Sequence, residues 1–509
     1  MKIVLVRPYF NLYEKTYYEP PLSLLYPAAF LEKKGYQVSI LDFLALGISD
    51  ERRIREKLKK ENPDIVGVTL LTYHRFEAIP VINIAKQLGA FVIVGGNHVT
   101  FDAENTLKSI SSIDVAVLGE GEETMQELAE AIDRGGPLDT IKGIAYRQDG
   151  KIVINPLRPF IDNLDKLPFI PYHLLLVEKY RYLTVMGSRG CPYNCIFCAI
   201  PKLWQGKLRF RSYKLIVDEI EYLINTYGRR YFAFKDVNLF LDKKWAINLC
   251  NEIIKRDIKI KWDCLGRVDL RDEGIFRLMK KAGCEMIIFG VESASEETLN
   301  LIHKNITKGD VRMAVKMARE AGIECIQTTY MLGHPYETKK DIEETCNFAI
   351  ELNSEQSLFG PTSIYPGTTI FDIAVKEKLL PSDFNWFSPD TLLKYKDGFR
   401  VYEGVPTWEE RDINREYLEE TARRFFVRTF LASIFSLNSF HDFKHFVFYY
   451  RARFIPKYIA DWKVVIQEVI RELKTKRKFK KRVMGFSYIA LFLLLFHDLA
   501  FTTNKDQCG

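Results

Sequence analysis

The chain has 509 residues, of which 27% are charged, 47% hydrophobic and 13% aromatic. This balance excludes wholesale disorder, a collagen-like fibre and a multi-span membrane protein, and the length predicts about three domains, each able to bury its own core. Lysine and arginine exceed aspartate and glutamate by 73 − 66 = 7, an excess too small by itself to indicate a nucleic-acid-binding protein.

The N-terminal region alternates short apolar runs with amphipathic stretches. This alternation is typical of a parallel sheet whose two faces are covered by helices. We therefore predict an α/β domain with a doubly wound parallel sheet over residues 1–140, and such sheets bind ligands beyond the carboxyl ends of their strands. The predicted strands lie at 2–6, 38–43, 64–71, 91–96 and 114–119, and the predicted helices at 22–34, 50–61 and 76–88.

A second alternation begins near residue 182. It follows a connector at 141–177 that is rich in turn residues and is predicted to contain a short hairpin. Six strand-like runs separated by helical stretches predict a partial (βα)6 TIM-like barrel over 178–385, whose chemistry belongs at the carboxyl ends of its strands. The six runs are 182–187, 230–236, 259–264, 285–291, 323–332 and 357–364.

Two helices of this barrel carry a capping signal. In each, a threonine followed three residues later by an aspartate precedes an apolar-periodic run, as in Thr307 with Asp310 and Thr338 with Asp341. The threonine hydroxyl accepts a hydrogen bond from the aspartate N–H, and the carboxylate accepts one from the threonine N–H. We therefore predict that these helices begin directly after the threonines.

The character of the sequence changes near residue 386, and we predict a helical C-terminal domain over 386–509. Residues 408–432 predict a charged helix. A polybasic run at 474–482 precedes an apolar run at 483–496, which is shorter than the roughly 20 residues that span a bilayer. This tail is expected to lie on a membrane surface, where Lys and Arg favour anionic lipid. The alternatives are a core helix and a solvated helix face.

The N-terminal segment indicates the compartment. MKIVLVRPYF runs directly into a strand-like stretch and lacks the charged region, apolar region and cleavage site of a signal peptide. Together with the tail, this predicts a cytoplasmic protein that is peripheral at the inner face of the membrane if the tail binds lipid.

Three of the nine cysteines lie within eight residues, in the sequence GSRGCPYNCIFC. Cys191, Cys195 and Cys198 follow the first barrel strand, at the predicted catalytic end. Three thiolates suit iron in a sulfide cluster, and three ligands for a cubane leave one iron open to hold a reactant. The alternative is a structural zinc site, but such sites are normally four-coordinate and no nearby Cys or His completes one. The other cysteines form no second C-x2-C pair, which disfavours an auxiliary cluster.

This loop resembles that of the radical S-adenosylmethionine (SAM) superfamily, and the resemblance covers about residues 180–375. It implies a 4Fe-4S cluster whose open iron is chelated by SAM, reductive cleavage to a 5′-deoxyadenosyl radical, and an electron donor such as ferredoxin or flavodoxin. It also implies cofactor contacts at the strand ends, each of which could instead be a turn residue or an ion-pair partner. These are Phe197 and Tyr365 near the adenine, Asp236 for the amino group, Glu292 for the ribose, and Arg267 and Gly333.

A doubly wound domain ahead of such a barrel resembles the cobalamin-binding class of radical SAM enzymes. The resemblance implies cobalamin at the strand ends, where glycines let a corrin approach the backbone. The residues concerned are Thr69, Leu71, Thr72, Gly95, Gly96, Asn97, His98, Val99, Thr100, Gly119, Glu120, Gly121 and Glu122.

The lower cobalt ligand is the point at which the sequence departs from other cobalamin proteins. Their D-x-H-x-x-G signature, which supplies a histidine, is absent. Cobalamin is therefore expected to lack a histidine ligand, with His74 and His98 as alternatives. Two further alternatives are a domain that has lost cobalamin binding and a dinucleotide site, which is weaker because no G-x-G-x-x-G follows the first strand.

In overall layout the chain resembles the branch that contains anaerobic magnesium-protoporphyrin monomethyl ester cyclase and the hopanoid-modifying enzymes. The resemblance implies hydrogen abstraction from an unactivated carbon of a hydrophobic, lipid- or tetrapyrrole-like substrate, followed by methyl transfer or cyclisation, with no nucleic-acid partner. Two alternatives stay open, a radical SAM enzyme without cobalamin and a non-enzymatic cobalamin or redox sensor. A three-ligand cluster argues against the sensor, which needs no open iron.

Overall fold

The computed structural model describes residues 1–10, 19–388, 406–409 and 412–436. These residues form two α/β units and one long helix that follows the second unit. None of the helices described has the length and apolar character needed to cross a bilayer. The predicted basic and apolar runs of the tail, at 474–482 and 483–496, lie outside the described residues.

The N-terminal unit is built on one sheet of seven strands. In chain order they are β1 (Lys2–Arg7), β2 (Gln37–Asp42), β3 (Ile65–Thr69), β4 (Phe91–Gly95), β5 (Val115–Val117), β6 (Ile144–Gln148) and β7 (Lys151–Ile154). Their order across the sheet is β2-β1-β3-β4-β5-β6-β7. The first five pair in parallel, which confirms the doubly wound prediction.

The hairpin predicted in the connector is present, but it extends this sheet. Strands β6 and β7 pair antiparallel with each other, and β6 pairs antiparallel with β5. The sheet is therefore mixed at this edge rather than parallel throughout, and the hairpin belongs to the N-terminal unit. Asp149 and Gly150, both with positive φ, form the tight turn, and β6 covers an edge of β5 that would otherwise expose unpaired backbone groups.

Seven helices accompany this sheet: α1 (Leu22–Lys33), α2 (Phe43–Leu46), α3 (Glu51–Glu61), α4 (Arg75–Gln87), α5 (Asn97–Phe101), α6 (Ala103–Ser109) and α7 (Glu122–Arg134). The two faces of the sheet carry separate apolar cores because side chains alternate along a strand. Ile3 and Leu5 of β1 pack on the same side as α1 and α7. Val4 and Val6 pack on the opposite side, with α3 and α4.

The second unit is the predicted partial barrel. Its strands are β8 (Leu183–Val185), β9 (Ser188–Arg189), β10 (Arg209–Phe210), β11 (Tyr231–Phe234), β12 (Lys261–Gly266), β13 (Cys284–Glu292), β14 (Cys325–Leu332) and β15 (Gln356–Pro361). Six of them pair in parallel in the order β8-β11-β12-β13-β14-β15, so each βα unit lies beside the preceding one. Strands β9 and β10 form a separate antiparallel ribbon.

The helices of this unit are α8 (Ile200–Trp204), α9 (Tyr213–Tyr227), α10 (Lys243–Lys255), α11 (Glu273–Lys281), α12 (Glu296–Leu301), α13 (Lys308–Glu320), α14 (Lys339–Leu352) and α15 (Thr369–Lys376). Both predicted capping boxes are confirmed. At the start of α13, the Asp310 N–H donates to the Thr307 hydroxyl at 3.1 Å, and the Thr307 N–H donates to the Asp310 carboxylate at 2.9 Å.

The long helix α16 (Arg415–Ser436) begins later than the predicted start at residue 408. Thr407 forms a bridge with Ser363, and the Trp408 N–H donates to the Thr362 carbonyl at 3.1 Å. These residues pair with the segment that follows β15 and therefore cannot be helical. The Asn414 side chain accepts a hydrogen bond from the Tyr417 N–H at 2.9 Å, which caps the helix about two turns after the predicted start.

Candidate active site

The cysteine loop (190–199) leaves the β9–β10 ribbon and ends at α8. Cys195 is buried, and Cys191 and Cys198 are partly buried. Burial raises the pKa of both Cys191 and Cys198, the latter to about 11, and the charges of neighbouring thiols in the loop add to this effect. The structure thus brings the three predicted ligands together, in a site where a bound metal would have to displace their protons.

The spacing of these thiols bears on the zinc alternative. Within the described ranges, no three His, Cys, Asp or Glu side chains are arranged to hold a metal ion between them. A tetrahedral zinc ion with Zn–S bonds of about 2.3 Å would draw its sulfur ligands to within roughly 4 Å of one another. In a cubane the thiolates bind different irons and stand farther apart. Three thiols in one loop are the donor set that suits iron in a sulfide cluster.

Gly190 determines how the cysteine loop begins. Its φ is +103°, and a Cβ at this position would lie 1.8 Å from the carbonyl oxygen of Lys207. The segment before β10 therefore approaches the loop more closely than any side chain would allow. Sequence reasoning missed this residue, although the glycine directly before the first cysteine was the available signal.

Arg267 lies behind the cysteine loop and contacts it directly. Its buried guanidinium donates to Cys195 Sγ at 3.9 Å and to the Lys304 carbonyl at 2.6 Å, and it stacks on the Tyr193 ring at 3.6 Å. The charges of Arg267 and Lys304 lower the pKa of Cys191, in opposition to burial. The structure therefore joins the predicted Arg267 to the cluster ligands, and its contact with SAM stays a prediction.

Glu292 lies at the end of β13 in a left-handed conformation, with a φ of +69°. Its Oε1 accepts a hydrogen bond from Lys304 Nζ at 3.0 Å, and both side chains are buried. A Cβ on Gly290 would lie 2.4 Å from that same carboxylate oxygen, so a side chain there would displace the ion pair from this position. Lys304, which no sequence motif indicated, is thus part of the site.

Asp236 follows β11 and is fully buried. Its carboxylate accepts hydrogen bonds from the Ser188 hydroxyl at 2.5 Å and from the Gly187 N–H at 3.1 Å. Burial raises its pKa to about 6, and these hydrogen bonds oppose the rise. Asp236 therefore braces the strand that leads into the cysteine loop, and its contact with the SAM amino group stays a prediction.

The remaining barrel residues lie around the same end of the strands. The Phe197 ring is 6.0 Å from the ring of the buried His334. Gly333 has a φ of +77°, and a Cβ there would lie 2.6 Å from Leu418 of α16. The missing side chain therefore lets α16 approach the end of β14. Tyr365 is half-buried, and its carbonyl accepts a hydrogen bond from the Thr368 hydroxyl at 2.6 Å.

A cavity of about 240 Å³ lies at the carboxyl edge of the N-terminal sheet. Eight of the residues predicted to contact cobalamin line it: Thr69, Gly95, Gly96, Asn97, Gly119, Glu120, Gly121 and Glu122. Met186, Arg189 and Trp204 of the barrel unit complete its wall. The cavity is therefore bounded by both units, as expected of a site at this edge of a doubly wound sheet.

Five of the predicted residues do not line this cavity: Leu71, Thr72, His98, Val99 and Thr100. Val99 packs in the apolar core, and the Thr72 hydroxyl is 3.1 Å from Nδ1 of the buried His98. Burial lowers the pKa of His98 well below its usual value and that of His74 to about 3, so both rings are neutral. Neither histidine reaches the cavity wall.

Three polar atoms in residues of the cavity wall are buried without a hydrogen-bond partner. They are the Tyr26 hydroxyl, Thr69 Oγ1 and Glu122 Oε2. An unsatisfied buried polar group costs about 1–3 kcal/mol, so such a cluster indicates a ligand that supplies the missing partners. Glycines on the wall leave its backbone accessible. These features fit a large ligand with amide and hydroxyl groups, such as cobalamin.

Comparisons with known proteins match both units. Residues 185–349 match the radical SAM superfamily, and residues 13–129 match the B12 binding domain. An uncharacterized methyltransferase of Pyrococcus horikoshii is 36% identical over 73% of this chain and 82% of its own length. The anaerobic magnesium-protoporphyrin IX monomethyl ester cyclase of Rubrivivax gelatinosus is 32% identical over 69% of this chain and 66% of its own length.

A solved structure shows the same fold. It is that of OxsB, a cobalamin-dependent SAM radical enzyme with aqua-cobalamin and SAM bound, which matches with a TM-score of 0.68 at 16% identity over all of this chain and 81% of that one. The matches to both family models confirm the predicted fold class and cofactor set, namely a 4Fe-4S cluster, SAM and cobalamin. The chain therefore belongs to the cobalamin-binding class of the radical SAM superfamily and is an enzyme of that class.

Proposed function

We propose that this enzyme modifies an unactivated carbon of a hydrophobic, lipid- or tetrapyrrole-like substrate, by methyl transfer or by cyclisation. One observation carries the proposal: Arg189 lines the cavity of the N-terminal unit and is separated from Cys191 by a single residue. The two predicted cofactor sites are therefore adjacent, and a substrate between them would be within reach of both.

The cysteine loop would hold the cluster through Cys191, Cys195 and Cys198. When bound, the cluster and SAM supply a 5′-deoxyadenosyl radical, and cobalamin supplies a methyl group or assists another carbon-centred reaction. Arg267 donates a hydrogen bond to Cys195 Sγ, and this contact would stabilise the negative charge of the bound thiolate.

The barrel strand ends would bind SAM. We assign the ribose to Glu292, whose carboxylate Lys304 orients, and the amino group to the edge of β11 at Asp236. Phe197 and Tyr365 would flank the adenine. Gly333 has no side chain, so α16 can approach the end of β14 closely. All these positions lie at the carboxyl ends of the strands, where barrel enzymes carry their chemistry.

The cavity of the N-terminal unit would receive part of cobalamin. Its volume of about 240 Å³ is below the roughly 300–1,000 Å³ of ordinary ligand pockets, so it would accept one arm of so large a molecule rather than the whole. Thr69, Tyr26 and Glu122 offer polar partners. Because neither His74 nor His98 reaches the wall, we propose cobalamin without a histidine ligand.

The interior of the barrel supports a hydrophobic substrate. On β12, Trp262 and Cys264 pack in the outer core, so Leu265 faces the interior, where it is 36% exposed. Its neighbour across the sheet, Ile288, is also partly exposed. An exposed apolar wall at a reaction site favours a substrate that can bury it. The cyclase relative, whose name specifies a protoporphyrin ester, agrees with this class.

Anaerobic turnover tests the proposal. The enzyme, reconstituted with cluster and cobalamin, would be incubated with a cell lipid extract and SAM bearing a deuterated methyl group, and the products read by mass spectrometry. A labelled methyl in a hydrophobic product supports methyl transfer, and 5′-deoxyadenosine with an unlabelled modified product supports cyclisation. Absence of corrin absorbance after reconstitution would instead favour an enzyme without cobalamin. Absence of 5′-deoxyadenosine would favour a sensor.

We also propose that the tail binds the membrane surface. Residues 474–482 carry seven Lys/Arg and no acid, beside the apolar run 483–496. Each basic residue near anionic lipid contributes roughly 1 kcal/mol, so removal of the tail should abolish co-sedimentation with anionic liposomes. A chain that ends at residue 473 is the variant, and neutral liposomes are the control. Equal binding by the full and shortened chains to anionic liposomes would contradict the proposal.

A further inference from the structure

Four charged side chains form a buried ion network between the two units: Glu120, Glu122, Arg189 and Arg209. Arg189 donates from Nη1 to Glu120 at 2.6 Å and from Nη2 to Glu122 at 2.5 Å. Arg209 Nη1 donates to both oxygens of Glu120, at 3.1 and 3.0 Å. The Ile161 N–H adds a bond to the same carboxylate at 2.7 Å. All four charged side chains are at most 9% exposed.

This ion network joins the two cofactor sites through very short lengths of chain. Glu120 lies in the loop between β5 and α7, Glu122 is the first residue of α7, and both line the cavity. Arg189 ends β9 and also lines it, and Gly190 then opens the cysteine loop. A movement of the loop after β5 would therefore be transmitted to the cysteine loop through Arg189.

The energetics favour a geometric role over a stabilising one. Burying ion pairs costs desolvation free energy that their attraction only partly offsets, and apolar replacements are often as stable. What an arginine offers is a planar fork that holds two acceptors in fixed directions, which lysine cannot reproduce. The Arg189 guanidinium binds two carboxylates at once, so it fixes both the distance and the orientation of the two units at this contact.

The sequence predicted that Glu120 contacts the cofactor. In the structure its carboxylate instead binds Arg189 and Arg209. Both oxygens of Glu120 are engaged by the two arginines and by Ile161. Glu122, by contrast, keeps Oε2 without a partner. Of the two carboxylates that line the cavity, Glu122 therefore keeps one oxygen for a ligand, while Glu120 anchors the ion network to the barrel unit.

We propose that Arg189 is a positioning residue that sets the distance and orientation between the cobalamin site and the cluster. It acts through Glu120 and Glu122 and touches neither substrate nor reacting atoms. The inference rests on the proposed function, because it requires that both cofactors bind where we have assigned them. A second close contact between the units, Gly367 against the Phe101 ring, restrains them elsewhere.

Pulsed dipolar EPR tests this inference in the full-length protein. After anaerobic reconstitution and reduction, the cluster and cob(II)alamin each carry one unpaired spin, and their coupling reports the distance between them. The variants are Arg189→Lys and Glu122→Gln. The matched control is Arg256→Lys, because Arg256 also binds several carboxylates, Asp218 and Glu221 among them, but within the barrel unit.

We expect wild type and Arg256→Lys to share one narrow distance. Arg189→Lys should still bind both cofactors, but the distance between them should broaden or shift by on the order of 1 Å. A misplacement of that size is enough to lower the reaction rate about 100-fold. A distance in Arg189→Lys equal to that of wild type overturns the inference. If Arg189→Lys does not fold, Glu122→Gln decides by the same criterion. A wild-type protein without cobalamin or cluster refutes the proposed function instead.

Discussion

Replacing Cys191, Cys195 and Cys198 together with alanine is expected to remove the iron and to lower 5′-deoxyadenosine formation from SAM by more than about 100-fold. Removing a single residue that hydrogen-bonds to a metal ligand commonly lowers metal affinity or activity about 10–100-fold. Here all the protein ligands themselves are lost. The measurements are iron and sulfide content after anaerobic reconstitution, and chromatographic detection of 5′-deoxyadenosine after reduction with dithionite.

The control for this variant is Cys346→Ala. Cys346 is a fully buried thiol on α14, outside the cysteine loop. Its replacement removes one sulfur atom from the core, so it should lower stability modestly while iron content and SAM cleavage stay at wild-type levels. If the triple variant retains both iron and SAM cleavage, the assignment of the loop as a cluster site is wrong.

Gly190→Ala is expected to lower the free energy of unfolding by about 2–4 kcal/mol and to prevent assembly of the cluster. The alanine Cβ would meet the Lys207 carbonyl oxygen at 1.8 Å, and backbone cannot yield as a flexible side chain can. The positive φ adds a conformational cost to that of the overpacking. The β9–β10 ribbon must therefore separate at the start of the cysteine loop. Denaturant unfolding and iron content are the measurements.

Gly206→Ala distinguishes the two causes. Gly206 also has a positive φ, +68°, but nothing lies within 4 Å of a Cβ built there. The variant should therefore show only the conformational cost, about 1 kcal/mol, with normal iron content. Equal losses in the two variants would mean that the close approach of Lys207 has no influence on the loop.

The elements that sequence patterns predicted well are those whose signals are local. The six parallel barrel strands and the two capping boxes at Thr307 and Thr338 lie where the patterns indicated, because periodicity and caps depend on residues a few positions apart. The start of α16 was predicted too early because residues 406–409 are held by pairing with the segment after β15, and that pairing is not visible in the local sequence.

The residues of the site also divide into those that local sequence patterns indicated and those that they did not. The three cysteines were evident from their spacing, and eight of the predicted cobalamin contacts were found at the cavity because strand ends can be read from the sequence. Lys304 escaped notice because a lysine on a loop has no distinguishing pattern. The involvement of Glu120 with Arg189 and Arg209 also escaped notice, because these partners are 69 and 89 residues away along the chain.

The amino-acid sequence by itself determined the class of enzyme, the order of its two α/β units and the loop that presents three thiols. Tertiary structure alone decided which charged groups are buried together, and with them how the cobalamin domain is oriented on the barrel. The physical reason is that hydrophobic periodicity and metal-ligand spacing act over a few residues. A buried ion pair instead depends on where two distant backbones meet and on the exclusion of water from between them.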